Sequence, residues 1–183
     1  MALGTIYMVE TRTHRRIPRS RKKRHIPLVK LRTSEVVRTV VDHPRRLGEL
    51  VNLLNDTDRA IRGRAANTLA RLSESHPGRL LRILDRLSVA LADESAYVRW
   101  YLVYAFGRVA SKFPARAQRF LTDLIARLDD DNRVVRVLTI QALGRVAANK
   151  PQMIQEIFQS TNHAVPPAVA QVLRSSGLPS EKA

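Results

Sequence analysis

The chain has no cysteine among its 183 residues. This absence excludes disulfide bridges, thiol nucleophiles, and the zinc and iron–sulfur sites that depend on cysteine ligands. It also agrees with a reducing compartment. We therefore expect a cytoplasmic protein, or a nuclear one if the source is a eukaryote.

Aromatic residues are scarce, at 5% of the chain, whereas hydrophobic residues make up 44%. The core is therefore expected to be aliphatic and rich in alanine. No apolar run approaches the length of a membrane span. The apolar start, MALGTIYMV, is followed by positive charges instead of being preceded by them, which is the wrong order for a secretory signal. Met1 and Met8 are both compatible with the start of translation.

Acidic residues are few as well. The chain has 16 Asp and Glu and 32 Lys and Arg, which gives a net charge of +16. Residues 11–32 alone contain ten basic residues and no acidic one. Such an excess does not help a chain to fold and usually marks a protein that meets a polyanion or an anionic surface. The ten residues are Arg12, Arg15, Arg16, Arg19, Arg21, Lys22, Lys23, Arg24, Lys30 and Arg32.

Motifs typical of catalysis are missing from the sequence. It contains no HExxH metal motif, phosphate-binding loop or dinucleotide fingerprint. The run Asp129, Asp130 and Asp131 resembles a cation site, but acids before a helix are also favoured by the helix dipole alone. We expect no enzyme activity, metal, cofactor or small-molecule substrate.

The sequence does contain an internal repeat of 37 residues. Four classes of residue recur at this spacing, and their agreement on one period indicates stacked structural units. They are Pro77, Pro114 and Pro151; Asp56, Asp93 and Asp130; Arg62, Arg99 and Arg136; and Leu54, Leu91 and Leu128.

Each unit is predicted to form two helices. The first begins at the recurring proline, whose fixed φ suits the first helical turn. The second begins after the Asp-containing turn, at an N-cap residue that is Asp58, Ser95 or Asn132. The first helix of the unit at 77 carries one apolar stripe at helical spacing. That stripe consists of Leu80, Leu84, Leu87 and Leu91.

These units resemble HEAT repeats, which carry an Asp in the turn between helices and an Arg six residues later. The pairs in this sequence are Asp56 and Arg62, Asp93 and Arg99, and Asp130 and Arg136. The stretches YVRW, VVRV and QALGRVA are also similar to the family's pattern. The resemblance covers residues 35–175 and implies an all-α solenoid of three to four helical-hairpin units. It further implies that the paired Asp and Arg side chains form a structural ladder between units.

The sequence divides into three segments. Residues 1–33 form a basic extended arm, which is expected to be disordered unless bound, because it contains two prolines and no helical apolar period. Residues 34–176 form the solenoid. Residues 177–183 form a frayed C-terminal tail.

The second helices carry a stripe that the resemblance places on the concave side. Arg71, Arg108 and Arg145 occupy equivalent positions there and would form a basic row with a spacing of about 10 Å. Tyr101 and Tyr104 on the same stripe suit contact with a base or with a protein. Ordinary solvated surface, and packing of the aromatics against neighbouring units, would give the same pattern.

Two functions fit these features. The first is a non-catalytic nucleic-acid-binding protein, with RNA favoured over DNA, in or on a ribonucleoprotein such as the ribosome. Its arm would thread among phosphates while the solenoid docks. The alternative is a protein–protein interaction scaffold whose concave face binds an acidic or helical partner segment. The arm would then act as a tether or targeting signal.

Overall fold

The computed structural model describes residues 26–161 and 163–177, and within these ranges the chain is helical without any strand. Most of the basic residues predicted for the arm lie outside the described residues, as does the tail 178–183. Those arm residues are Arg12, Arg15, Arg16, Arg19, Arg21, Lys22, Lys23 and Arg24.

Ten α-helices follow one another along the described chain. They are α1 Thr33–Asp42, α2 Leu47–Asn52, α3 Arg59–Ser75, α4 Leu84–Ala90, α5 Ala96–Lys112, α6 Pro114–Ala117, α7 Leu121–Ile125, α8 Arg133–Asn149, α9 Pro151–Ser160 and α10 Pro167–Ser175. Short 3₁₀ segments connect several of them. These segments are Leu28–Lys30, Pro44–Arg46, Leu53–Asn55, Pro77–Ile83, Gln118–Phe120 and Ala126–Asp129.

The predicted second helices are α3, α5 and α8, each 17 residues long. They lie side by side, with α5 between the other two, and α10 packs on α8 at the end of the array. The side chains of Asp58 and Asn132 cap α3 and α8 by accepting backbone N–H groups at 2.7 and 2.9 Å. Ser95 makes no such bond, and its own N–H donates to Asp93 at 2.8 Å. The repeat and its caps therefore fix the layer of second helices.

The predicted first helices begin at the prolines, as expected, but those at Pro77 and Pro114 are not continuous. Residues Pro77–Ile83 form a 3₁₀ segment before α4 begins. Because a 3₁₀ helix has three residues per turn, Leu80 and Ile83 fall on the same side and both are buried. The next unit is divided in the same way into α6, a 3₁₀ turn and α7. The prediction of one unbroken first helix was therefore wrong for these two units, whereas α9 runs unbroken from Pro151.

The core is a single aliphatic layer between first and second helices. The predicted stripe of Leu80, Leu84, Leu87 and Leu91 is buried throughout. Phe106, on α5, is the largest fully buried side chain and meets Phe120 edge to face at 6.5 Å. The repeat therefore positions the second helices rigidly, with one side in the core and the other free to carry a site.

The solenoid begins earlier than predicted, because residues 26–32 of the expected arm pack on the first unit. Leu28 is buried, and its N–H donates to Glu49 Oε1 at 2.8 Å. Arg46 binds the same carboxylate and also donates to the Ile26 carbonyl at 2.6 Å. These are side-chain bonds to backbone groups, which a search for helical periodicity does not detect.

The same segment passes the N-terminal end of the second-helix layer. Arg64 of α3 donates to the carbonyl of Val29. Lys30 and Arg32, two of the predicted nucleic-acid contacts, are exposed beside it, and Arg32 is the N-cap of α1. The chain therefore enters the solenoid next to Arg64.

Glu49→Ala is expected to release this segment without unfolding the solenoid. The substitution removes the acceptor of the Leu28 N–H and the partner of Arg46, and each lost bond is worth about 1 kcal/mol. Limited trypsin digestion should then cleave after Lys30 and Arg32 about thirty times faster, the factor that corresponds to about 2 kcal/mol. Asp85→Ala on α4, an exposed position, is the control. Equal cleavage rates in both variants would show that Glu49 does not hold the segment.

Candidate functional site

Two of the predicted ladder pairs bridge neighbouring units. Arg62 Nε donates to Asp93 Oδ2 at 2.8 Å, and Arg99 Nε donates to Asp130 Oδ2 at 2.7 Å. Each guanidinium also donates to two backbone carbonyls of its own turn. All of these groups are engaged in holding the units together, in the manner predicted for the ladder.

The ladder ends at Asp56 and Arg136. Asp56 accepts the N–H of Asp58, two residues on, and Arg136 donates to two carbonyls of its own turn. In the described part of the chain neither forms an ion pair with another unit. The 37-residue spacing places Pro167 where the next ladder aspartate would stand. Among the described residues these two therefore do not form the predicted bridge, and at Arg136 the reason is that Pro167 replaces the aspartate.

Asp130 is the most buried carboxylate of the ladder. Burial raises its pKa, but hydrogen bonds from Arg99 and from the N–H of Asn132 outweigh this, so the pKa of Asp130 lies below its ordinary value. In the same pair, the hydrogen bond to Asp130 raises the pKa of Arg99 despite burial. Both groups are charged at neutral pH, and the pair contributes to stability.

The exposed sides of α3, α5 and α8 together form one surface, called here the second-helix face. Arg71, Arg108 and Arg145 lie on it at equivalent positions, and we call them the basic row. Arg71 donates to Asn67 at 3.2 Å, and Arg108 lies over the ring of Tyr104 at 5.7 Å. Within the described residues, none of the three arginines forms an ion pair. Their charges are therefore available to a ligand.

An open cleft of about 750 Å³ lies at the C-terminal ends of these helices. Arg108, Lys112 and Arg145 line it together with one carboxylate, that of Glu74. The Tyr104 hydroxyl donates to Glu74 at 2.9 Å, so this tyrosine is already bonded within the fold. The cleft carries three positive charges against one negative charge and suits an anionic group.

An aromatic cluster stands at the other end of α5. Trp100 stacks on Tyr101 with ring centroids 5.3 Å apart, and Tyr97 meets Tyr101 edge to face at 4.8 Å. Tyr101 is half-buried beneath these neighbours. A Cβ atom on Gly63 would lie 2.9 Å from the Tyr97 ring, so this glycine makes room for the ring on α3.

The apolar surface continues from α5 onto α8. Tyr97 and Trp100 are 48% and 37% exposed, and Val134 and Val137 are 45% and 43% exposed. The valines stand 37 residues after the two aromatics, at the equivalent positions of the next unit. We call these four residues the apolar row. The valines were not predicted as site residues, although the repeat register contained the signal.

The described residues offer no evident metal site. Within 26–161 and 163–177, no three His, Asp or Glu side chains are grouped closely enough to hold a metal ion. In the acidic run at 129–131, both Asp130 and Asp131 bind Arg99. The surface therefore presents charges and apolar groups for binding.

No helix in the described part of the chain combines the length and the apolar character that a membrane crossing requires.

Solved structures similar to this chain include designed armadillo-repeat proteins. One, in complex with the peptide (KR)4, has a TM-score of 0.57 and 18% identity, over 78% of this chain and 74% of that chain. Another, computationally designed for modular peptide recognition, has a TM-score of 0.60 and 19% identity, over 80% of this chain and 69% of that chain. At these identities the likeness concerns the fold, which is a helical-repeat solenoid.

No curated protein matches the chain by sequence. The family Cnd1, described as non-SMC mitotic condensation complex subunit 1, matches residues 77–170. This stretch covers just over half of the chain and runs from the 3₁₀ segment before α4 into α10. The chain therefore belongs to the Cnd1 family.

Proposed function

We propose that this protein is a non-catalytic interaction scaffold whose second-helix face binds an acidic segment of a partner protein. The observation that carries the proposal is the basic row, three arginines at one-unit spacing that form no ion pair with any residue the structure describes. Neighbouring packed helices lie about 10 Å apart. An acidic segment that crosses the units can therefore pair with each arginine in turn.

The comparisons support a protein ligand, and the positive charge of the face favours a ligand of negative charge. One similar solved structure holds the peptide (KR)4, and another was designed for modular peptide recognition. The face of the present chain is itself basic, so it should repel a basic peptide and attract an acidic one. A single exposed pair contributes only about 0.2–1 kcal/mol, so several pairs must act together. Binding is then expected to weaken as the salt concentration rises.

Within this proposal the units are HEAT repeats. The support is the pair of Asp–Arg bridges between units, Arg62 with Asp93 and Arg99 with Asp130. Such bridges match the residues on which the family resemblance rests. They lie away from the basic row, so they do not occupy the arginines of the second-helix face.

Nucleic-acid binding, with RNA favoured over DNA, is the second candidate function. The ten basic residues within 11–32, uninterrupted by an acid, favour it. The chain enters the solenoid beside Arg64. The basic residues therefore come just before, in the sequence, the segment that lies at this end of the second-helix face. The comparisons lend this candidate no support, and the contacts predicted for the arm remain predictions.

A photo-cross-linker at Gln141 tests the two candidates together. Gln141 is exposed on α8, one helical turn before Arg145. In an extract of the source cells, the full chain should cross-link to a protein segment rich in Asp and Glu. The double variant Arg108→Glu/Arg145→Glu should lower the yield about tenfold, because both charges then repel the segment.

Arg82→Glu provides the matched control, since Arg82 is exposed in the 3₁₀ segment before α4 and lies outside the second-helix face. It should leave the yield unchanged. A nuclease-sensitive adduct in place of a protein adduct would support the second candidate. A protein adduct that persists in the double variant would contradict an acidic ligand on the basic row.

A further inference from the structure

The second-helix face is divided into two zones of different chemistry. The apolar row occupies the N-terminal ends of α5 and α8, and the basic row lies further along the same helices. Arg108 follows Trp100 by eight residues and Tyr97 by eleven, as Arg145 follows Val137 and Val134. At 1.5 Å per residue, the two zones are about 12–17 Å apart along the helix axes. Because side chains on a helix lean towards its N-terminus, the two arginines reach back over part of this distance. A ligand of this face meets both zones only if it is wide enough to span the rest.

The apolar zone has the character of a contact surface. Its four residues are each more than a third exposed, and they stand in register on two adjacent helices. Val89 on α4 is more exposed, at 79%, but it stands alone on the first-helix layer. Isolated apolar residues are common on protein surfaces, whereas grouped ones that include Trp and Tyr mark interaction sites.

The secondary structure of the ligand follows from these two zones. An extended segment alternates its side chains between opposite faces, so it would present either its apolar or its acidic set to this surface. A helix has a diameter of about 10–12 Å and can carry an apolar stripe beside an acidic flank. One helix therefore covers both zones at once.

We propose that the second-helix face binds an amphipathic helix of a partner protein. Its apolar stripe lies on Tyr97, Trp100, Val134 and Val137, and its acidic flank faces Arg108 and Arg145. This inference rests on the proposed scaffold function and names the class of partner segment. The helix runs across α5 and α8, because both zones extend across those two helices.

The geometry also sets a sequence pattern for the partner. Two arginines on adjacent helices are about 10 Å apart, a distance that about seven helical residues cover. Acidic residues of the partner should therefore recur every seventh position. Its apolar residues should recur at i, i+3 or i+4, and i+7.

The chain's own N-terminal residues do not fit this description. Residues 1–25 include a single acid, Glu10, and eight Lys or Arg, so the basic row repels them. The basic row therefore does not bind residues 1–25, and the occupant that we propose is a segment of a second protein.

Selection from a peptide library tests the inference and does not require that the partner be identified first. The probe is a display library of random peptides of about 20 residues, and the bait is the immobilised full chain. Selected peptides should share the seven-residue acidic spacing and the apolar stripe. A proline placed at the centre of such a peptide should weaken binding more than tenfold, because proline breaks a helix.

The contacts can be assigned with variants and with one spectroscopic signal. Trp100→Ala and Val137→Ala should each weaken the selected peptides about fivefold, and Val89→Ala should not. Trp100 is the only tryptophan of the chain, so its emission should shift to the blue when a peptide covers it. Circular dichroism of each variant verifies that the solenoid remains folded.

Other outcomes overturn the inference in distinguishable ways. Acidic peptides that tolerate proline and depend on Arg108 and Arg145, but not on Trp100, would overturn the helical ligand and leave the scaffold proposal standing. Enriched peptides indifferent to every substitution on this face, or no enrichment, would overturn both. RNA that displaces the selected peptides from Trp100 at lower concentration would assign the face to the nucleic-acid candidate instead.

Discussion

Asp130→Ala is expected to lower the free energy of unfolding by about 3 kcal/mol. The Asp130 side chain is 1% exposed and accepts two hydrogen bonds from Arg99, each 2.7 Å long. Breaking a buried ion pair by removing one partner costs about 3–5 kcal/mol, because the remaining charge stays buried without compensation. The lower end applies here, since Arg99 keeps two bonds to backbone carbonyls.

Asp131→Ala is the matched control for this prediction. Asp131 also binds Arg99, but its side chain is 87% exposed. An exposed ion pair contributes about 0–1 kcal/mol, so this variant should differ little from the wild type. Thermal unfolding followed by circular dichroism should show a melting temperature lower by about 6–12 °C for Asp130→Ala. Equal decreases in melting temperature for the two variants would mean that burial does not determine how much each ion pair stabilises the fold.

The effect of Asp130→Ala should depend on pH in a defined direction. The pKa of Asp130 is lower in the folded chain than in the unfolded chain, so its stabilisation is present above the unfolded pKa of about 3.9. The stabilisation is lost as pH falls through the folded value. Wild type and variant should therefore differ fully at pH 7 and converge below about pH 4. A constant difference across this range would contradict the assigned pKa shift.

The repeat made much of the fold predictable. Residues that recur every 37 positions report contacts that each unit makes with the next, so two of the three caps and both Asp–Arg bridges could be located without a structure. The errors lie in the 3₁₀ segments of the first helices, in the Ser95 cap, at the two ends of the ladder, and in the segment 26–32, which does not repeat. Residues 26–32 are held by Glu49, Arg46 and Arg64 through backbone atoms, and no pattern of side-chain types encodes such bonds.

For the candidate site, the sequence pointed to the arginines and to the tyrosines of α5, but not to the valines of α8. Arg71, Arg108 and Arg145 stand in the same register, and their type excludes them from an aliphatic core. Val134 and Val137 could not be separated from core residues in the same way, because α8 carries apolar residues on nearly every side. Only the packing of α5 and α10 against α8 determines which of them remain exposed.

Gly107→Ala is expected to destabilise the chain by about 2 kcal/mol, although alanine favours a helix by about 1 kcal/mol over glycine. A Cβ atom at this position would lie 2.4 Å from the Cβ and 3.1 Å from the Cα of Ala142 on α8. Neither atom can rotate away, so α5 and α8 must move apart. Overpacking of this kind costs about 1–3 kcal/mol, and the upper end applies because backbone has to shift.

Gly144→Ala provides a control at the equivalent position of the next unit. No atom outside its own helix lies within 4 Å of a Cβ at Gly144, so only the helix propensity changes. This variant should be more stable than the wild type by up to about 1 kcal/mol. Urea unfolding measures both effects, and similar denaturant slopes would show that the unfolded state is unchanged. If both substitutions changed the free energy of unfolding in the same direction, the close contact between Gly107 and Ala142 would be contradicted.

The glycine at 107 also links stability to the proposed function. Arg108 and Arg145 each follow one of the two glycines, so the separation of α5 and α8 at Gly107 sets the spacing of the basic row. Gly107→Ala should therefore weaken selected acidic helical peptides severalfold at a temperature where the variant is folded. Gly144→Ala changes an equivalent residue without moving the helices and should bind them like the wild type. If Gly107→Ala bound these peptides as tightly as the wild type, each arginine would engage its ligand independently of the spacing.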